Sequence, residues 1–165
     1  MGIMASYLSL NNALADEIAE LNNFHIVKRL EELMENHSCP VNEMDKLWDG
    51  LHCLLTGISA SQPIENHPLS EAIVGVHVLD TEEFLSVIGS EELPRILEAL
   101  HSMDRTVLQQ QFKPAIFRAK QIYPDIWADD EAVELFAELI AELDQLIHFY
   151  EQSLARGHDI LISIY

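Results

Sequence analysis

The residues best suited to chemistry are two carboxylates and an imidazole in the stretch 44–57. If this stretch is helical, a turn of 100° per residue places Asp45, Asp49 and His52 on one face, opposite a face of leucines. Such a set could orient a general base, bind a cation or line a polar pocket beside Trp48. A solvated polar face with Trp48 packed at its edge has the same pattern, and both interpretations stay open.

A second polar and aromatic set occupies residues 122–130. Tyr123, Asp125 and Trp127 alternate along this segment, and Pro124 restricts its backbone. The aromatic rings could form a pocket wall, or they could attach the segment to the core. Together the two sets define a candidate ligand pocket, formed by Asp45, Trp48, Asp49, His52, Tyr123, Asp125 and Trp127.

A row of four glutamates, which we call the acidic ridge, consists of Glu131, Glu134, Glu138 and Glu142. Helical spacing places them within about 80° of arc, and no Lys or Arg follows any of them at i+4. Neighbouring like charges destabilise a helix by roughly 0.2–0.5 kcal/mol per pair. The ridge is therefore a candidate surface for a basic partner, although a solvated face gives the same pattern.

The overall charge limits the partners. Nine Lys and Arg residues against 28 Asp and Glu give a formal net charge of −19. This potential repels nucleic acid and anionic membranes, so we expect neither as a partner. It either complements a basic protein or serves solubility alone. The positive charges at Lys113, Arg118 and Lys120 could hold an anion or pair with acidic helices.

Motifs for cofactors, metals and catalysis are absent from the sequence. It contains no GxxxxGKS/T, GxGxxG, HExxH, GxSxG or CxxC, so we expect no cofactor and no metal. Cys39 and Cys53 are predicted to be reduced thiols of a cytoplasmic protein. No apolar run approaches 18 residues, so no membrane span is expected. The sequence does not determine whether the chain is an enzyme, nor its oligomeric state.

Hydrophobic periodicity predicts an α+β fold in one helix-dominated domain, residues 1–165. The predicted strands are 2–10, 70–79, 83–88 and 159–165. The predicted helices are 13–35 with a break at Asn22 and Asn23, 44–55, 90–100, 104–112, 114–123 and 130–155. We expect the N- and C-terminal strands and the short central strands to form a small mixed sheet covered by helices.

Several segments together resemble the YfbM-like family of bacterial proteins of unknown function. They read MDKLWDGLHCLLTG, HPLSEAI and IYPDIW, with GIMASYL and RGHDILISIY at the two ends. The resemblance implies a compact bacterial cytosolic domain with α and β layers, and it supplies no activity or catalytic residue. Between Val76 and Phe84 this chain has a short acidic link where the family resemblance implies a longer glycine-containing hairpin.

Two hypotheses of different classes follow. In the first, the chain is a non-catalytic acidic interaction protein that binds or inhibits a basic protein through the acidic ridge. In the second, it is a small-ligand-binding or hydrolase-like protein whose site combines Asp45, Asp49 and His52 with the segment from Tyr123 to Trp127.

Overall fold

Apolar residues at the two ends of the chain form neighbouring strands of one sheet. The structure is a computed structural model that describes residues 2–165. Its strands are β1 (Ala5–Leu10), β2 (Val41–Asp45), β3 (His77–Val78), β4 (Phe84–Ile88) and β5 (Asp159–Ile164). Its helices in this range are α1 (Asn12–Glu20), α2 (Asn23–Glu35), α3 (Trp48–Thr56), α4 (Pro68–Val74), α5 (Leu93–His101), α6 (Arg105–Gln111), α7 (Pro114–Ala119) and α8 (Ala132–Ala155). The predicted α+β class is confirmed.

The sheet has the strand order β2-β1-β5-β4-β3, and each neighbouring pair is antiparallel. The predicted mixed sheet is therefore wrong in this detail. Helices α1 and α2 connect β1 to β2, and β2 then pairs with β1 as the edge strand of the sheet. The Ser9 amide donates to the Pro40 carbonyl just before β2 (2.9 Å). Strands β3 and β4 form a hairpin, which also makes them antiparallel.

Alternate side chains of the sheet face two different hydrophobic clusters. Tyr7, Ile160 and Ile162 pack beneath helices α3–α8, whereas Leu8 and Leu161 pack against α1 and α2. All six residues of β1 are buried because helices cover both faces of that strand. The structure thus has three layers, with the sheet in the middle.

Two element predictions are wrong, each for a local reason. The helix expected at 44–55 begins only at Trp48, because Met44 is buried in β2 and Asp45 adopts a left-handed backbone (φ 53°). Part of the strand expected at 70–79 is the helix α4, which Pro68 starts and Gly75 (φ 81°) ends. Since α4 is short and buried nearly all round, its apolar run cannot be told from a strand by periodicity.

The break between α1 and α2 and the long C-terminal helix are confirmed. Asn22 caps α2 by accepting a hydrogen bond from the His25 amide (3.0 Å). Helix α8 ends before Gly157 (φ 67°), as predicted. A 3₁₀ turn, Asp129–Glu131, precedes α8, and Asp129 in this turn pairs with Arg118 (3.0 Å). In residues 2–165, no helix is both long and apolar enough to cross a membrane.

Candidate functional site

Asp49 joins three separate segments at the first turn of α3. Its side chain is only 4% exposed. Oδ1 accepts from the Ala60 amide (2.7 Å) and the Ser59 hydroxyl (2.9 Å), and Oδ2 accepts from the Tyr123 amide (2.9 Å). The two polar sets of the sequence therefore meet at this carboxylate. Its oxygens are occupied by contacts that hold the loop after α3 and the segment 121–128 against the helix.

His52, one turn further along α3, is also committed to internal contacts. Its Nδ1 bonds to the Ile58 carbonyl (2.8 Å), which accepts only, so Nδ1 carries the proton and Nε2 accepts from the Ser70 hydroxyl (2.8 Å). Ser70 in turn accepts from the Ile64 amide (3.0 Å). Burial lowers the pKa of His52 because it disfavours the charged imidazolium. This fully buried neutral imidazole fastens the loop 57–67 over α3.

Trp48 and Tyr123 clamp the segment that precedes β1. The indole Nε1 donates to the Ile3 carbonyl (2.9 Å), and the Tyr123 hydroxyl accepts from the Ile3 amide (2.7 Å). The two rings lie 5.8 Å apart at an interplanar angle of 32°. A Cβ at Gly2 would lie closer than 3.0 Å to the Tyr123 hydroxyl, so the clamp requires a residue without a side chain there.

Trp127 is a core residue rather than a pocket wall. Its ring is 2% exposed, packs edge-on against Phe117 (4.8 Å between centroids) and donates from Nε1 to the Ile122 carbonyl (2.8 Å). The ring also presses on Gly50, where an added Cβ would come closer than 3.0 Å. Asp125, in the same segment, is exposed.

Two of the three cations considered as an anion site, Arg118 and Lys120, make internal contacts. Arg118 donates to the Trp127 carbonyl (2.6 Å) and pairs with the carboxylate of Asp129 (3.0 Å). This guanidinium lowers the pKa of Asp129. Lys120 donates to the Gly57 carbonyl. The alternative of internal pairing is thus observed for Arg118.

Asp45, the last residue of β2, lines a groove of about 460 Å³. The predicted single helical face with all three residues is wrong, since Asp45 ends β2 and does not belong to α3. The groove runs between α8 and the turns before α3 and after Tyr123, and its walls are Asp45, Lys46, Leu47, Pro124, Ile126, Glu138, Ala141 and Glu142. It therefore joins parts of both polar sets to the acidic ridge.

Glu142 is the most crowded carboxyl in this groove. Its Oε2 is buried and has no hydrogen-bond partner among residues 2–165. Burial raises the pKa of Glu142, and the nearby carboxylates of Asp45 and Glu138 raise that pKa further. The other ridge residues, Glu131 and Glu134, are exposed, as is Glu138. The groove concentrates negative charge at the end of the ridge.

Comparison with known proteins places the chain in a family. The family described as a domain of unknown function, DUF1877, matches residues 1–163. The chain belongs to the DUF1877 family. Protein YfbM of Escherichia coli strain K12 is 36% identical over 125 residues, which cover 74% of this chain and 75% of that protein. The predicted YfbM-like resemblance is confirmed.

The DUF1877 fold is also seen in a crystal structure. The structure of YfbM from Escherichia coli, described as a protein of unknown function, has a TM-score of 0.78 to this chain and 29% identity. The match covers 98% of this chain and 99% of the YfbM chain. These relatives establish the α+β fold and bring no activity with them.

Loops of this DUF1877 protein supply partners of its polar sets that the sequence pattern did not indicate. Ser59, Ser70 and Ile3 were not singled out, because their contacts to Asp49, His52 and the aromatic clamp are set by loops. A serine-rich loop directly after a polar helix was the available signal, since such loops often supply donors to helix side chains. The candidate ligand pocket stays a prediction, and the direct contacts among its members join Tyr123 to Asp49 and to Trp48.

Proposed function

We propose that this DUF1877 protein is a non-catalytic interaction protein whose acidic ridge binds a basic segment of another protein. The observation that carries the proposal is a contrast along α8. In its second half, Asp144 forms an ion pair with Arg105 (2.5 Å), and Glu151 is hydrogen-bonded to Nε2 of His101 (2.7 Å). The four ridge glutamates, in contrast, form no ion pair within 4.0 Å anywhere in residues 2–165.

An apolar side chain accompanies these charges at one end of the ridge. Ile126, 38% exposed, lies in the wall of the groove together with Glu138 and Glu142. Protein interfaces commonly combine an apolar centre with a polar rim. A basic segment with an apolar residue would bury Ile126 while its cations approach Glu138 and Glu142.

The groove gives this partner a specific anchor. A lysine or arginine side chain entering it would offset the repulsion among Asp45, Glu138 and Glu142. It would also give Glu142 Oε2 a hydrogen-bond donor. Binding would lower the raised pKa of Glu142, so complex formation should release protons and weaken as the pH falls through the range where Glu142 titrates.

The alternative function, a small-ligand-binding or hydrolase-like site, has less support. Asp49 and His52 use their hydrogen-bonding atoms for backbone and serine groups of this chain. A general base needs a free path to the proton it removes. His52 and its hydroxyl partner Ser70 are both fully buried, which leaves a substrate no access to this pair.

The test is affinity capture from the cytosol of the native host at low and at high salt, with mass spectrometry of the retained proteins. Three forms of the full chain are compared: wild type, a ridge variant with Gln at 131, 134, 138 and 142, and a control variant. The control carries Gln in place of four exposed glutamates outside the ridge: Glu20, Glu35, Glu65 and Glu91. Both variants change the net charge from −19 to −15, since each removes four negative charges.

A basic protein retained in stoichiometric amount by wild type and control, lost with the ridge variant and released by salt would support the proposal. Equal retention by the ridge and control variants would assign the binding to net charge alone and contradict the assigned surface. Retention of no protein at either salt concentration would contradict the interaction function itself.

A further inference from the structure

A cleft of about 320 Å³ lies on the opposite side of the sheet from α8, beneath helices α1 and α2. Its walls are aliphatic residues of the second hydrophobic cluster and of the sheet, among them Leu10, Ile18, Ile26, Val87 and Leu161. Interiors of folded proteins leave few voids larger than a water molecule. Small-molecule sites, by comparison, are concave, largely apolar and roughly 300–1,000 Å³ in volume.

The local sequence explains why the cleft is not filled. Ala15, which lines it from α1, is too small to reach across to the sheet. Helix α1 ends at Glu20 and α2 restarts at Asn23, so the helical cover is interrupted above Leu161. Strand β3 has only two residues, and the sheet edge beside the cleft is correspondingly short.

Polar groups of one charge sign mark the mouth of the cleft. Asp159 accepts a hydrogen bond from the Ser90 amide through Oδ1 (2.8 Å), which leaves its second oxygen for a ligand. Asp80 is exposed, and its backbone carbonyl accepts from the side chain of Asn23, which holds the β3–β4 link at the mouth. Within residues 2–165, no lysine or arginine lines the cleft.

The groove next to the mouth extends this negative potential. It shares Asn23 and Asp80 with the cleft and adds three glutamates against a single lysine: Glu31, Glu82, Glu83 and Lys28. With a formal net charge of −19 on the chain, an anionic ligand would be repelled from this entrance. A cationic group would be attracted to it.

We propose that the cleft binds a small molecule with an apolar body and one cationic group, an amine or a guanidinium. The apolar body lies between α1, α2 and the sheet, and the cation lies at the mouth beside Asp80 and Asp159. This site is separate from the acidic ridge, because it uses the other face of the sheet, and it does not depend on the ridge function.

The test is titration of the isotope-labelled full chain with three six-carbon probes, followed by amide chemical shifts. The probes are hexylamine, hexanol and hexanoate, which share an apolar body and differ in charge. We expect hexylamine to shift amides around Ala15 and Leu161 and to bind roughly two- to fivefold more tightly than hexanol. Hexanoate should bind most weakly of the three.

Two variants and a matched control decide the location. Ala15→Leu fills the cleft and should abolish binding of both hexylamine and hexanol, whereas Ala13→Leu, on the exposed side of the same helix, should leave binding unchanged. The double variant Asp80→Asn/Asp159→Asn should reduce hexylamine affinity to that of hexanol. Because Asn keeps the acceptor for the Ser90 amide, this variant tests charge even if Ala15→Leu fails to fold.

Equal affinity of the wild type for hexylamine and hexanol would overturn the proposal. So would shifts confined to other surfaces, or unchanged hexylamine binding in the double Asn variant. Capture results for the acidic ridge have no bearing on these outcomes, so the two proposals fail independently.

Discussion

Replacement of Asp49 by Asn separates a structural from a functional role for this carboxylate. Asp49 accepts from the amides of Ala60 and Tyr123 and from the Ser59 hydroxyl, and it needs both oxygens to do so. Asn has one acceptor oxygen, so its NH₂ group must face one of the two amide donors. The variant keeps size and shape but leaves one backbone N–H without an acceptor.

The magnitude follows from the lost bond. A hydrogen bond to a charged group contributes about 1.5–3 kcal/mol, and an unpaired buried donor costs about 1–3 kcal/mol. Tyr123 is only half-buried, which allows water to compensate part of this cost. We therefore expect Asp49→Asn to lower the free energy of unfolding by about 2–3 kcal/mol. Ser59→Ala removes a partly exposed hydroxyl that donates to Asp49 and accepts from the exposed Ser61 amide (3.2 Å), and it should cost under about 1 kcal/mol.

The assay is urea unfolding at pH 7 and 25 °C, followed by circular dichroism, with the slope m checked for constancy. A thermal scan should agree, since each 1 kcal/mol corresponds to roughly 2–4 °C in Tm at this chain length. When a residue is present for function rather than for stability, its substitution often leaves the free energy of unfolding unchanged or increases it. An Asp49→Asn variant as stable as wild type would refute the bracing role and favour the ligand-site hypothesis.

Three further predictions concern the same region. Burial holds the pKa of His52 below its ordinary value of 6.5, so its contribution to stability is present above about pH 6.5 and is lost as the pH falls toward the lowered pKa. The stability difference between wild type and His52→Asn should thus shrink by at most about 1.4 kcal/mol per pH unit on acidification; a difference independent of pH in urea unfolding would contradict this. Gly50→Ala should destabilise by about 1–3 kcal/mol because its Cβ overlaps the Trp127 ring, and the smaller ring of Trp127→Phe should make the alanine less costly in a double-mutant cycle. Glu142→Gln should raise stability at pH 7, because the raised pKa of Glu142 means that its ionised form is disfavoured in the fold; Glu138→Gln, at an exposed position, is the control, and an equal effect of both in thermal unfolding would argue against crowding in the groove.

Local sequence patterns were sufficient for the elements with a clear period. Helices α1, α2 and α8 were predicted because apolar residues recur in them at helical spacing. The break between α1 and α2 was predicted at Asn22, which caps α2. Val133 is nevertheless 77% exposed, although it has helical spacing to the other apolar residues of α8. At the first turn of a helix, the neighbouring elements decide which side chains are covered.

Periodicity failed where burial is nearly complete or where strand and helix adjoin. Helix α4 is buried around most of its surface, so its sequence carries no polar face from which a period could be read. At the junction of β2 and α3, the apolar spacing suggested one helix. Pairing of β2 with β1, a contact between residues about 40 positions apart, overrides local preference there.

The sequence by itself determined three features. They are a helical segment that carries Asp49 and His52, the helical spacing of the four ridge glutamates, and the formal net charge of −19. Tertiary structure decided what those groups do. Asp49 and His52 are buried because the loop after α3, the start of α4 and the segment 121–128 fold over their face of α3 and supply matching donors and acceptors. Within residues 2–165 the ridge glutamates form no ion pair, since α5 and α6 place His101 and Arg105 beside the other half of α8. Exposure and pairing depend on contacts between segments far apart in the chain, and no local pattern encodes them.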